Sequence, residues 1–194
     1  MAGLAPISFG MMGLSFACFL NAAALFGYDT KPAKEGAPDP SRTVAIIGSL
    51  SGALTLFFMA GWFVIDAPFG TTGAAVPVQL LFSITPLMYA LIWLGLAYVQ
   101  WYGLDVRYIG NSAFVSLFYQ LFMMGVYAYL IGWKFTANDV LIEITLLSYA
   151  SALAGFWAVT HGKLGAKTQG SILVWAGIMT LYLMFFPGGI LPPP

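Results

Sequence analysis

Apolar residues in this chain fall into six long runs, at approximately 4–27, 44–65, 78–102, 109–132, 139–160 and 168–187, separated by short polar stretches. A helix needs roughly 20 apolar residues to cross the hydrocarbon core of a bilayer, so each run predicts one transmembrane helix. The separators read as helix ends. GYDTKPAKEGAPDPSRT, the longest, is rich in Pro and charge and is expected to be solvated. Asp66 and Pro68 stop the second run, GLDVR follows the third, WKFTANDV the fourth, and the fifth ends at His161. The sixth stops at Pro187, and the GGILPPP tail cannot continue a helix. The expected fold is an all-α integral membrane protein, with residues 1–194 as a single six-helix membrane domain. The separators leave no room for a soluble catalytic or nucleotide-binding domain, so function is expected within the bundle or at its mouths.

Composition agrees with this pattern. With 60% hydrophobic residues, 7% charged residues and a mean hydropathy of +0.88, the chain cannot give a soluble core with a polar surface. The few charges carry topological information, because cytoplasmic loops collect Lys and Arg. Lys31, Lys34, Arg42, Arg107, Lys163 and Lys167 occupy alternate loops, and only Lys134 lies on the other side. This asymmetry predicts both termini outside the cytoplasm. Six spans divide into two sets of three, and because three is odd the halves are expected to be inverted relative to each other, as in many transporters.

No Asp, Glu, Lys or Arg lies at mid-depth in any run; Asp66 and Glu143 are near run ends. The usual sign of proton coupling, ion transport or voltage sensing is therefore missing, which argues for a neutral permeant. The candidate path is polar and aromatic: Asn21 in the first run, Tyr89 and Trp93 in the third, Tyr149 in the fifth, and Trp175 in the sixth. Tyr89 and Trp93 are four residues apart, hence on one helical face, and sit in the middle of their run. Membrane aromatics ordinarily form belts at the two interfaces, where Trp62, Trp101, Tyr102 and Trp133 are expected. A lining of amide, hydroxyl and aromatic groups suits a small uncharged solute that forms hydrogen bonds. The plainer reading, that these aromatics only pack and Asn21 only joins helices, stands beside it.

Enzyme chemistry finds no parts. There is one histidine and one cysteine, and no HExxH, GxSxG or Gly-rich loop leading into GK[ST]. No catalytic residue, cofactor, metal or nucleic-acid partner is expected. Cys18 reads as a small packed residue, and His161 as a helix-end residue well placed against the helix dipole.

The stretches LNAAALFG (Leu20 to Gly27), DPSRTVAIIGSLSGAL (Asp39 to Leu54), YGLDVR (Tyr102 to Arg107) and LGAKT before the sixth run resemble the AmiS/UreI family of urea and short-chain amide channels, over nearly the whole chain. The resemblance implies two inverted three-helix halves, a pore for urea or a small neutral amide within each protomer, and a homohexamer in the bacterial inner membrane with both termini on the outer side. Tyr89 and Trp93 match two pore-lining aromatic positions of the family's third helix, and Asn21 the polar position of its first. The chain departs from the pattern elsewhere. The family's urea channels carry several Trp residues along helix five, where this chain has Tyr149, Phe156 and Trp157, and an acidic pore residue of helix six falls at or beside Ala176. Histidines in the outer loops, which acid-gated members carry, are missing here, so gating by their protonation is not expected; Asp66, Asp139 and Glu143 remain as groups that respond at lower pH.

Two other readings stay open. GLAPISFGM and the six-helix plan also resemble the acetate/succinate channel family, which is not expected to supply the DP…TVA and GLDxR stretches. The other is a non-transporting membrane subunit that only packs against partners.

Overall fold

In the computed structural model, which describes residues 5–68, 70–73 and 75–185, the chain is helical, with no strand among the described residues. Six long helices follow one another: α1 (Ala5–Phe26), α2 (Pro40–Asp66), α3 (Ala75–Tyr102), α4 (Arg107–Leu130), α5 (Ala137–Thr160) and α6 (Ala166–Phe185). The first five are long and apolar enough to cross a membrane. At 1.5 Å per residue, α6 is about 30 Å long. The expected stop at Pro187 and the GGILPPP tail lie outside the described residues.

Local chemistry sets the helix ends. Asp39 caps α2, its side chain accepting from Ser41 N–H at 2.8 Å, and Pro40 occupies the first turn, where its missing N–H costs nothing. Helix α2 therefore starts four residues before its apolar run. Thr136 and Asp139 form a reciprocal capping box on α5. Four helices end at a glycine in the left-handed region: Gly27, Gly103, Gly132 and Gly162. In each case the next N–H reaches back across the turn, as Tyr28 does to Ala23 at 3.0 Å and Lys163 to Ala158 at 2.7 Å.

Cross-helix contacts show that the helices alternate in direction. At one end, Asn21, Ser49 and Gln100 meet from α1, α2 and α3, and Gly110 of α4 lies against Thr160 of α5. At the other, Ser8 Oγ donates to Met184 O at 3.1 Å, Gln79 Nε2 donates to Phe63 O, and Tyr127 Oη donates to Asp139 at 2.6 Å. The sequential neighbours pack in order from α1 to α6, and α6 returns to α1, so the bundle closes on itself.

Lipid is as apolar as leucine, so helix association in a membrane depends on close packing and interhelical hydrogen bonds. Small residues allow that packing in α1. A Cβ on Gly52 would come within 2.6 Å of Ala17 Cβ, and one on Gly13 within 1.8 Å of Thr55 Oγ1, so the α1–α2 crossing has no room for larger side chains. Ser15 Oγ also donates to Gly177 O across α1–α6, at 3.2 Å. Helix α4 differs. It packs on α5 and α3 and exposes Val115, Phe118, Tyr119, Leu121, Phe122 and Tyr129. A concavity of about 640 Å³ lies on the flank between α3 and α4. Trp101, Tyr102 and Trp133 are exposed at helix ends as a belt requires, but Trp62 packs half-buried against the core, 5.0 Å from the Phe63 ring.

Candidate functional site

The axis of the bundle holds two stacked cavities. The wider one, about 280 Å³, opens at the end where α1, α3 and α5 finish, and is lined by Asn21, Leu96, Gln100, Ile109, Phe156 and Thr160 among others. The narrower one, about 20 Å³, lies deeper, between Leu14, Cys18, Tyr89, Trp93, Tyr149 and Phe156, with Leu173 and Ala176 of α6 closing the far side. Cys18 and Asn21, Trp93 and Leu96, and Phe156 and Thr160 are each one turn apart, so α1, α3 and α5 carry the lining from one cavity into the other. Phe156 borders both.

The wide cavity, or vestibule, has a polar wall built from three helices. Asn21 Nδ2 donates to Ala17 O at 2.9 Å and to Ser49 Oγ at 3.1 Å. Ser49 Oγ donates to Gln100 Oε1 at 2.8 Å, and Gln100 Nε2 donates to Asn21 Oδ1 at 2.7 Å. These bonds close a ring. Asn21 and Ser49 are buried and Gln100 is half-buried. A carboxamide carries two N–H donors and an acceptor oxygen with two lone pairs. Each Asn21 N–H has a partner, whereas the ring uses one Gln100 N–H and one Gln100 Oε1 bond. Gln100, which lines the vestibule, thus has one N–H and one oxygen lone pair that the ring does not use. Ser49 lies within a π-helical stretch of α2, Val44–Leu50; such wider turns recur at functional sites because they redirect side chains that a regular helix would place elsewhere.

The waist below it is aromatic. The Tyr89 and Tyr149 ring centroids lie 5.5 Å apart, and Trp93 meets Phe156 edge to face at 5.9 Å. The tyrosine hydroxyls are bonded to neighbouring helices: Tyr89 Oη donates to Gln120 Oε1 at 3.0 Å, and Tyr149 Oη pairs with Thr180 Oγ1 at 2.9 Å. Gln120 Nε2 in turn donates to Leu146 O at 3.2 Å. What the waist offers is mainly ring surface. Pro86 interrupts the N–H ladder of α3 one turn before Tyr89.

Of the residues selected from the sequence, Tyr89, Trp93 and Tyr149 come together at the waist and Asn21 lines the vestibule. Trp175 lines neither; it is half-buried on α6, and Leu173 and Ala176 are the residues that helix turns toward the waist. Ala176 is also the position of the departure noted in helix six. Trp157 turns toward α4, its ring 5.1 Å from Phe114, with Lys163 Nζ 4.2 Å above it. His161 caps α5, Nδ1 lying 2.8 Å from Trp157 O. Sequence reasoning missed Ser49 and Gln100. Gln100 lies at the boundary between the third run and its loop, where a polar residue reads as solvated, and nothing in the sequence marks the π-helical turn that carries Ser49.

Among the described residues, no three His, Cys, Asp or Glu side chains converge as a metal site would require. The fold and these cavities define a multi-pass helical membrane protein with a polar vestibule over an aromatic waist. Comparison with protein-family models, with curated proteins and with solved structures finds no match to this chain.

Proposed function

We propose that this protein is a passive channel for small neutral amides, of the size of urea, formamide or acetamide, and not an enzyme. The observation that carries the proposal is the Asn21–Ser49–Gln100 ring opening on the vestibule. The Gln100 N–H and lone pair that the ring does not use can each bond a primary amide, one at its oxygen and the other at its N–H. The neutral lining of both cavities favours an uncharged solute, since an ion at this depth would need a partner. The aromatic waist supplies flat apolar walls that suit a planar amide stripped of its water.

In this reading the waist must open for passage, because about 20 Å³ holds little more than one water. The resemblance to the AmiS/UreI family supports the same solute class. With it come two inverted three-helix halves, a homohexamer, and an inner-membrane location with both termini outside. The basic residues at the vestibule end support that orientation, and would make the vestibule the cytoplasmic mouth.

One observation favours a second reading: a waist this narrow also fits a bundle that only packs against partner proteins. Stopped-flow swelling of proteoliposomes separates the two. With urea, formamide, acetamide and acetate compared, the channel reading expects the three amides to enter faster than through empty liposomes and acetate not to. It also expects Gln100→Leu to slow the amides. Flux equal to empty liposomes for every solute at neutral and acidic pH would overturn the channel reading.

A further inference from the structure

The concavity of about 640 Å³ between α3 and α4 lies beside the bundle axis, and it shares one lining residue with each axial cavity. Among the described residues, only Ile92 borders both the concavity and the waist. Only Ile109 borders both the concavity and the vestibule. Ile109 packs directly on the α3 backbone, since a Cβ on Gly95 would come within 2.6 Å of Ile109 Cδ1. The partition between flank and axis therefore consists of two isoleucine side chains.

The other walls of the waist are backed by protein. Tyr89 and Tyr149 are bonded through their hydroxyls to Gln120 and Thr180, and Trp93 packs edge to face on Phe156. Leu14, Leu153 and Leu173 are at most 3% exposed. Moving any of these outward would break a hydrogen bond or press on a close-packed neighbour. Ile92 is also buried in the wall, but it has the concavity behind it. Leu87, Leu91 and Val115 on the concavity's outer walls are exposed, so lipid chains reach it. An isoleucine that moves into this space exchanges protein contacts for lipid contacts, and lipid is as apolar as leucine.

We propose that Ile92 is the movable wall of the waist, and that the size of amide passed is set by how far its side chain withdraws into the concavity. This inference rests on the channel reading above. In a helix χ1 of isoleucine is nearly fixed, so withdrawal combines rotation of the Cδ1 end with bending of α3 at Pro86, where the N–H ladder is already interrupted. Conduction then depends on side chains that never touch the solute, because filling the concavity from outside holds Ile92 in place.

Leu87→Trp and Val115→Trp test this by filling the concavity from α3 and from α4. Both positions are exposed and neither lines the axis, so the variants should keep the parent's helical circular dichroism and unfolding midpoint. In proteoliposome swelling, urea and acetamide flux should fall about fivefold or more in each, the lower end of what overpacking imposes. Leu121→Trp, also exposed on α4 but outside the lining of the concavity, should conduct as the parent does. Ile92→Val removes the Cδ1 methyl; it should lower the urea-to-propionamide flux ratio and lessen the slowing caused by Val115→Trp. Parent-like flux in both concavity variants, equal slowing by Leu121→Trp, or slowing by Val115→Trp that Ile92→Val leaves intact would overturn the proposal. Absence of amide flux in the parent would instead remove the channel reading, and this inference with it.

Discussion

The vestibule and the waist lie on the same axis and are made from the same helices, yet they handle polar atoms in opposite ways. At the vestibule, Asn21, Ser49 and Gln100 satisfy one another, and Gln100 has one N–H and one lone pair outside the ring. At the waist, Tyr89 and Tyr149 turn their hydroxyls away to Gln120 and Thr180 and present their rings. In the proposed channel, one region selects by hydrogen bonding and the other by shape and desolvation. Substitutions in the two regions should therefore fail differently.

The largest effect is expected at the waist. Trp93 is buried and packs against Phe156, so Trp93→Ala removes a large side chain from the narrowest part of the bundle. Truncations of this kind cost about 3–5 kcal/mol, measurable as a lower unfolding midpoint in mixed micelles. The same change should admit bulkier amides such as propionamide, read as a smaller urea-to-propionamide flux ratio. A loss of stability with an unchanged ratio would place the constriction elsewhere.

Next in size is the vestibule ring. Gln100→Leu removes two of the ring's bonds and leaves the Ser49 hydroxyl to donate only over the longer contact to Asn21 Oδ1 at 3.3 Å, a loss of about 0.5–1.5 kcal/mol per bond. Amide flux should fall while the urea-to-propionamide ratio stays near the parent's, the reverse of the waist variant. Asn21→Leu and Gln100→Leu combined should cost less than the sum of the two, with a coupling of about 0.5–3 kcal/mol, because the first substitution already opens the ring. Strict additivity would show that the two carboxamides do not act as a unit.

A smaller effect tests whether the waist hydroxyls matter. Tyr89→Phe deletes the bond to Gln120 and keeps the ring. Interhelical hydrogen bonds in membranes average about 0.6 kcal/mol, so a slight loss of stability with unaltered flux and selectivity is expected. A change in selectivity would mean that the hydroxyl itself contacts the solute.

The contrast between the two regions also explains what could be read from the sequence. Helix number and approximate limits followed from run lengths, because a bilayer imposes a minimum length that few other environments require. Tyr89, Trp93 and Tyr149 stood out because large aromatics at mid-run break the belt rule, and a broken rule is visible in one dimension. Asn21 stood out as an amide within an apolar run. Gln100 broke no rule: at the end of a helix a glutamine is ordinary, and only the approach of α1 and α2 makes it part of a ring. Trp175 illustrates the converse. It lies at the right depth, but rotation about the α6 axis decides what faces the waist, and the residues facing it are Leu173 and Ala176. In a helix that is apolar on every side, the sequence carries little information about rotation.

The smallest effect concerns acid, and at the vestibule end it falls on Asp105 and Asp39. Asp105 follows Gln100 in the α3–α4 turn, and the side chain and backbone N–H of Arg107 hold its carboxyl down at about 2, against 3.8 unperturbed. Asp39, which caps the helix carrying Ser49, is also lowered, first by the Ser41 backbone N–H. A carboxyl whose folded pKa lies below its unfolded value contributes stability above the unfolded pKa and loses it as pH falls toward the folded one. These two acids therefore contribute no pH dependence near neutrality, and the loss begins below about 4. Both groups are exposed and screened by solvent, so the loss should be local rather than global. Amide hydrogen exchange at pH 3, corrected for its intrinsic rate, should show lost protection at residues 39–50 and 100–107 while Tyr89 and Trp93 remain protected. Asp39→Asn with Asp105→Asn should abolish that acid-induced difference. If protection at the waist fell first, the acid-sensitive group would have to lie on the other half of the bundle, where Asp66, Asp139 and Glu143 are found.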